Sequence, residues 1–102
     1  MAQITLDDLQ DIIRTMYFEK DKQRGAEATF LWFMEEVGEL AAALRSGTPE
    51  ELRAEFADVL AWLTTIANVK GVDLTQALVE KYGEGCPGCG NIVCTCPDEK
   101  KP

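Results

Sequence analysis

Apolar side chains recur every three to four residues along most of the chain, a spacing that predicts helices. Four segments carry this pattern, at about residues 5–20, 26–46, 48–70 and 73–82. No segment shows the alternation of apolar and polar residues that is typical of a strand. The pattern therefore predicts an all-α fold, a bundle of four helices.

Residues that begin and end helices support this division. N-cap residues begin three of the segments: Thr5 with Asp8 three residues later, Thr48 followed by Pro49, and Asp73. The polar stretch 21–25 predicts a loop between the first two helices. Gly47 is expected to end the second helix in a left-handed conformation.

The size and charge of the chain limit its partners. A chain of 102 residues predicts one domain with a modest core, which assembly into a dimer or tetramer would complete. The net charge of −8 argues against a nucleic-acid polymer or an anionic membrane as partner. No apolar run approaches the roughly 20 residues of a membrane span, and no signal peptide opens the sequence. We therefore expect a cytoplasmic protein.

Two groups of acidic residues lie on the second and third predicted helices. The first group contains Glu35, Glu36 and Glu39, and the second contains Glu55 and Asp58. A solvated surface is the usual explanation for glutamates on a helix, but such surfaces normally mix both charges, and residues 30–44 contain no lysine or arginine. Two antiparallel helices would bring the groups together, and carboxylates so placed suit Mg²⁺ or Mn²⁺.

The chain contains no histidine, so the histidine-dependent triads and zinc-protease sites are excluded. Water activated by a metal or a carboxylate, attacking a phosphorus atom, remains compatible with the residues present. A helical module that binds nucleotides, metal or another protein without catalysis is the alternative.

The two acidic groups resemble the E-E-x-x-E…E-x-x-D signature of the MazG-like nucleotide pyrophosphohydrolases, and the likeness extends over about residues 16–82. This resemblance implies an all-α domain, here residues 1–83, that hydrolyses nucleoside or deoxynucleoside triphosphates to the monophosphate and pyrophosphate. It implies Mg²⁺ as cofactor, with water attacking the α-phosphorus, and a dimer or tetramer. By the same resemblance the metal ligands are Glu36, Glu39, Glu55 and Asp58. Glu35 is a further ligand or orients the attacking water, so that Glu35 and Glu36 form the catalytic pair.

Four further residues are candidates for binding the substrate. Trp62 lies one turn after Asp58 and is either a platform for the base or a core residue. Lys81 matches a phosphate-contacting lysine of the family, and Arg24 is a second cation for the departing pyrophosphate; each could equally be a surface charge. Asn68 is a candidate ligand of phosphate or sugar, with a structural role at the helix end as the alternative.

The last segment, residues 84–102, departs from the family pattern. Its four cysteines are Cys86, Cys89, Cys94 and Cys96. Cys-x-x-Cys followed by Cys-x-Cys favours a structural Zn²⁺ site, a zinc knuckle, over disulfides. The four-residue gap between the pairs is short for a standard zinc ribbon. A site shared between subunits and redox-active thiols remain the alternatives.

Overall fold

The computed structural model describes residues 1–98 and consists of three helices. They are α1 (Leu6–Ser46), α2 (Pro49–Lys70) and α3 (Leu74–Tyr82). These 98 residues contain no strand, so the predicted all-α fold is confirmed. The last four residues of the predicted 84–102 tail lie outside the described residues. None of the helices in the described part is long and apolar enough to cross a bilayer.

The predicted helix starts are confirmed by hydrogen bonds. The Thr5 hydroxyl accepts a bond from the Asp8 N–H, and the Asp8 carboxylate accepts one from the Thr5 N–H, both at 3.0 Å. Thr48 and Asp73 cap α2 and α3 through their own side-chain oxygens, which accept from the N–H groups of Glu51 and Gln76. The left-handed conformation predicted for Gly47 is wrong. Its backbone is extended (φ −82°, ψ 161°) because the cap of α2 follows at the next residue.

The loop predicted at residues 21–25 is also absent, because α1 continues through Arg24 and only Gly25 leaves the helical conformation (φ 82°, ψ 165°). Polar side chains stabilise this short break. Arg24 forms an ion pair with Asp21 at 3.0 Å, and the Thr29 hydroxyl donates to the Gly25 carbonyl at 2.7 Å. The first two of the four predicted helices are thus two halves of α1, residues 6–24 and 26–46, that meet at a kink.

A buried amide cluster ties the start of α1 to the turn between α2 and α3. The Gln10 amide donates to the Asn68 side chain at 3.1 Å and to the Val72 carbonyl at 2.9 Å. The Gln10 side-chain oxygen accepts from the Leu74 N–H at 2.8 Å. Because Gln10 and Asn68 are both buried, these bonds fix how the helices meet. The largest helix contact joins α1 to α2, and a smaller one joins α1 to α3.

The apolar core of the chain is small. Within residues 1–98 only two hydrophobic residues, Ile13 and Ala67, are buried. Apolar residues of the predicted helical stripes remain accessible; Phe30 is 49% exposed and Leu63 is 42% exposed. A single copy of the chain therefore leaves much of its predicted core facing outward.

The kink yields a prediction on stability. Gly25→Ala should lower the free energy of unfolding by about 1–3 kcal/mol, because the backbone region that Gly25 occupies is essentially closed to other residues. Gly38→Ala is the matched control, since Gly38 lies inside α1 and an added Cβ would meet no atom within 4 Å. It should raise the free energy of unfolding by about 0.5–1 kcal/mol. Urea unfolding of both variants measures their free energies of unfolding. An equal change in the two variants would contradict a strained backbone at Gly25.

Candidate active site

Three carboxylates converge where the second half of α1 packs against α2. Glu36, Glu39 and Glu55 each place one carboxylate oxygen so that the three atoms lie within 4.8 Å of one another. The side chains meet because Glu36 and Glu39 are one turn apart on one helix and the short turn at Gly47 returns the chain antiparallel to them. A hollow of about 200 Å³ lined by Glu39, Glu51 and Glu55 adjoins the cluster.

No cation within residues 1–98 forms an ion pair with these carboxylates. Among residues 1–98 the ion pairs join Arg14 to Asp11, Arg24 to Asp21 and Arg53 to Glu50, and none reaches the three carboxylates. One oxygen of Glu36 and one of Glu55 are buried without a hydrogen-bond partner. Unpartnered buried carboxylate oxygens are unfavourable, and oxygen atoms of this kind are the ligands that a hard divalent ion prefers.

The same crowding shifts the proton affinity of the cluster. Burial, followed by the charges of Glu39, Asp58 and Glu55, raises the pKa of Glu36 to about 7. Burial and the neighbouring charges of Glu39 and Asp58 also raise the pKa of Glu55. Both shifts have the sign expected of carboxylates that lack a counter-ion.

The remaining two predicted acids, Asp58 and Glu35, are not members of this group of three. Asp58 is exposed and outside the group of three, although its charge contributes to the raised pKa values of Glu36 and Glu55. Glu35 is exposed beside Glu36 and also lies outside the group. The structure thus brings together three of the four predicted metal ligands, with the fourth close enough to act through its charge.

Two tryptophans and an arginine form a second cluster. The rings of Trp32 and Trp62 stack with centroids 6.1 Å apart and an angle of 17° between their planes. The Arg24 guanidinium lies 5.1 Å from the centroid of the Trp62 ring, in cation–π contact. Because Trp62 lies four residues after Asp58 on α2, this cluster is about 6 Å further along the helix.

Asp21 is a polar residue of this region that the sequence analysis missed. It is only 3% exposed, and it accepts a hydrogen bond from Arg24 at 3.0 Å while its second oxygen has no partner. Arg24 also donates to Thr29 at 3.3 Å, so two side chains hold the guanidinium beside Trp62. The spacing of three residues between Asp21 and Arg24 fits one helical turn, but the polar stretch 21–25 predicts a loop instead.

Asn68 and Lys81, which are predicted to contact the substrate, contact other residues of the chain. Asn68 accepts from Gln10 and Arg14 and donates to the Gln10 carbonyl, so both polar atoms of its amide are used. This supports the structural alternative for Asn68. Lys81 lies over the ring of Tyr82 and lines a hollow of about 510 Å³ between the end of α3 and the cysteine-containing loop, together with Glu84 and Cys86.

The four cysteines converge in a third cluster, with their sulfur atoms all within 4.8 Å of one another. All four are free thiols. The backbone N–H groups of Thr95 and Asn91 lower the pKa of Cys89 to about 5, whereas the hydrogen bond with the Cys94 side chain contributes most to raising the pKa of Cys96 to about 12.

Comparison with known proteins gives one family. The model of the MazG nucleotide pyrophosphohydrolase domain matches residues 24–90, which is more than half of the chain. The match includes all five acids and both tryptophans, and it ends before Cys94 and Cys96. No curated protein sequence matches the chain.

Proposed function

The chain belongs to the MazG nucleotide pyrophosphohydrolase family, and on that premise we propose that it hydrolyses nucleoside or deoxynucleoside triphosphates to the monophosphate and pyrophosphate. In this proposal the reaction depends on Mg²⁺, which Mn²⁺ can replace, and water attacks the α-phosphorus. The observation that carries the proposal is the group of three converging carboxylates with two buried, unpartnered oxygens.

The metal ligands in this proposal are Glu36, Glu39, Glu55 and Asp58. The fit rests on their chemistry, because four carboxylates that form no ion pair within residues 1–98 supply only hard oxygen ligands and an excess of negative charge. When bound, Mg²⁺ would neutralise phosphate charge and would lower the pKa of the water bound to it. Glu35, which is exposed beside Glu36, is proposed to orient the attacking water.

The base of the nucleotide is proposed to stack on Trp62. Its neighbour Trp32 extends the aromatic surface, and Trp32 is 49% exposed and so accessible to a ligand. Arg24 places a positive charge at this surface, where it would attract the anionic substrate. Lys81, on α3, is the second cation proposed for the departing pyrophosphate.

The first prediction for this site concerns its acids. Each of Glu36→Gln, Glu39→Gln, Glu55→Gln and Asp58→Asn should lower Mg²⁺-dependent turnover at least about 100-fold, because each removes a charge that holds the metal. Helix content and melting temperature should stay near those of the wild type or rise, since each change relieves repulsion. Pyrophosphate release from a panel of ribonucleotide and deoxyribonucleotide triphosphates, with and without Mg²⁺, provides the measurement.

Glu19→Gln is the control for these variants, because Glu19 is an exposed glutamate of the first half of α1. It should keep wild-type activity. Near-full activity in any of the four site variants would remove that residue from the ligand set. A wild-type protein that binds nucleotide and Mg²⁺ without releasing pyrophosphate would favour the non-catalytic alternative.

A second prediction concerns Trp62. Stacking of a base on an aromatic ring is worth roughly 1–3 kcal/mol, so Trp62→Ala should raise KM about tenfold, whereas Trp62→Phe should preserve most of the wild-type KM. The affinity for Mg²⁺ should barely change. If Trp62 were a core residue instead, Trp62→Ala would lower the free energy of unfolding by roughly 3–5 kcal/mol without changing the KM of the folded fraction. Thermal melting measured beside the kinetics decides between the two roles.

We also propose that the protein is a homodimer or homotetramer. The single chain buries only two hydrophobic residues within its described part and leaves Phe30, Leu31 and Leu63 accessible. Exposed apolar surface on several helices is typical of a subunit interface. A second copy of the chain would cover these residues and enlarge the core.

Light scattering at micromolar concentration should therefore give the mass of a dimer or tetramer. Leu31→Glu should weaken the assembly without unfolding the chain, since Leu31 is 71% exposed in the single copy. Val93→Glu is the control, because Val93 is similarly exposed but lies in the cysteine-containing loop. A monomeric wild type would contradict the proposal.

A further inference from the structure

The cysteine-containing loop is ordered without a core of its own. From residue 84 to residue 98 no side chain is fully buried, and the segment consists of turns and bends rather than an extended helix or strand. Ile92 and Val93, its two large apolar residues, are 86% and 80% exposed. Burial of apolar surface therefore does not explain why its four sulfur atoms meet.

The distances between the sulfur atoms match those of a metal centre. Four thiolates around a tetrahedral Zn²⁺ at a Zn–S distance of about 2.3 Å lie about 3.8 Å from one another. The Cys86 sulfur lies 3.5 Å from that of Cys94 and 3.8 Å from that of Cys96. Two separate disulfides would divide the cysteines into pairs, whereas here Cys86 has two sulfur neighbours at similar distances.

Backbone groups of the loop point at the sulfurs, as they do around bound thiolates. The N–H groups of Gly88, Thr95 and Cys96 donate to the sulfurs of Cys86, Cys89 and Cys94 at 3.4, 3.4 and 3.3 Å. Such bonds compensate part of the negative charge that thiolates carry. The Gly90 N–H donates to the Cys86 carbonyl at 2.7 Å and closes the turn that holds the first pair.

Close packing at the sulfurs also limits which residues the loop can contain. A Cβ atom at Gly88 would lie 2.8 Å from the Cys96 sulfur, closer than real Cβ atoms approach other atoms. A side chain at this position would therefore push the second pair of cysteines away from the first. Gly88 permits the two pairs to converge although Cys94 and Cys96 lie six and eight positions further along the chain.

We propose that Cys86, Cys89, Cys94 and Cys96 of one chain bind a single structural Zn²⁺ ion through four thiolates. The donor set favours zinc because soft sulfur ligands in tetrahedral geometry suit Zn²⁺ and do not suit Mg²⁺. Binding of the metal supplies the free energy that orders a segment lacking a core. This site is separate from the acid cluster and does not depend on the proposed hydrolysis.

The test measures metal and thiols in the whole 102-residue chain, purified under reducing conditions without chelators. Elemental analysis should give one zinc per chain after exposure to ZnCl₂ and removal of excess metal. Unfolding in the presence of a chelator should then release four thiols that react with a thiol reagent. Replacement of zinc by Co²⁺ should give the visible absorption of a tetrahedral cobalt tetrathiolate.

Amino-acid substitutions test which residues bind the zinc ion. Cys96→Ser should lower the affinity for zinc at least tenfold, measured by competition with a chelating dye. Two controls should keep the wild-type zinc content: Val93→Ala, in the same loop, and Glu36→Gln, in the acid cluster. Circular dichroism of Cys96→Ser checks that the three helices remain folded, and the Co²⁺ spectrum of the wild type supports the site independently of any variant.

Several results would overturn the proposal. Free thiols that take up no zinc, or a mass lowered by the hydrogens lost in disulfides, would leave no tetrathiolate site. Iron in place of zinc would overturn the assignment of the metal. One zinc per two chains would assign the site to the interface between copies, and loss of zinc in Glu36→Gln would place the ion at the acids.

Discussion

Repulsion among the carboxylates between α1 and α2 is the interaction on which the candidate active site depends. Glu36, Glu39 and Glu55 form no ion pair with a cation of residues 1–98, and two of their oxygens are buried without a partner. Packing of the long α1 against α2, together with the buried amide cluster at the far end of these helices, must offset this unfavourable interaction. The chain thus folds with a local excess of negative charge, and that excess is what makes the position suitable for a divalent cation.

The kink at Gly25 determines what surrounds these acids. It lets the two halves of α1 take different directions while Asp21, Arg24 and Thr29 bond across the break. As a result Arg24 lies over Trp62 rather than in solvent, and a positive charge stands beside the aromatic pair. The proposed hydrolysis needs both features, a place for negative phosphates and a surface for the base, and the same helix supplies residues to each.

Two parts of the molecule bury little apolar surface, which is the main source of stability in most folded proteins. The helices bury few apolar residues in a single copy, and residues 84–98, after α3, bury none of their side chains. A partner copy would complete the helices by covering apolar surface, whereas the proposed Zn²⁺ ion would order the loop. Assembly of copies and binding of a metal ion are independent of each other, because the exposed apolar residues are concentrated on the helices and the thiols lie in the loop.

Local patterns in the sequence determined most of the helices and the acidic groups, since caps and three- or four-residue spacings act within one turn. The positions of the acids followed from two helices and a short turn, so Glu36, Glu39 and Glu55 could be predicted to meet. The tertiary structure decided the rest. The bond of Asn68 with Gln10 and the contact of Arg24 with Trp62 depend on which distant segment each side chain meets. That contact is set by helix packing over more than 50 residues of chain in the case of Asn68 and Gln10, and no local spacing encodes it.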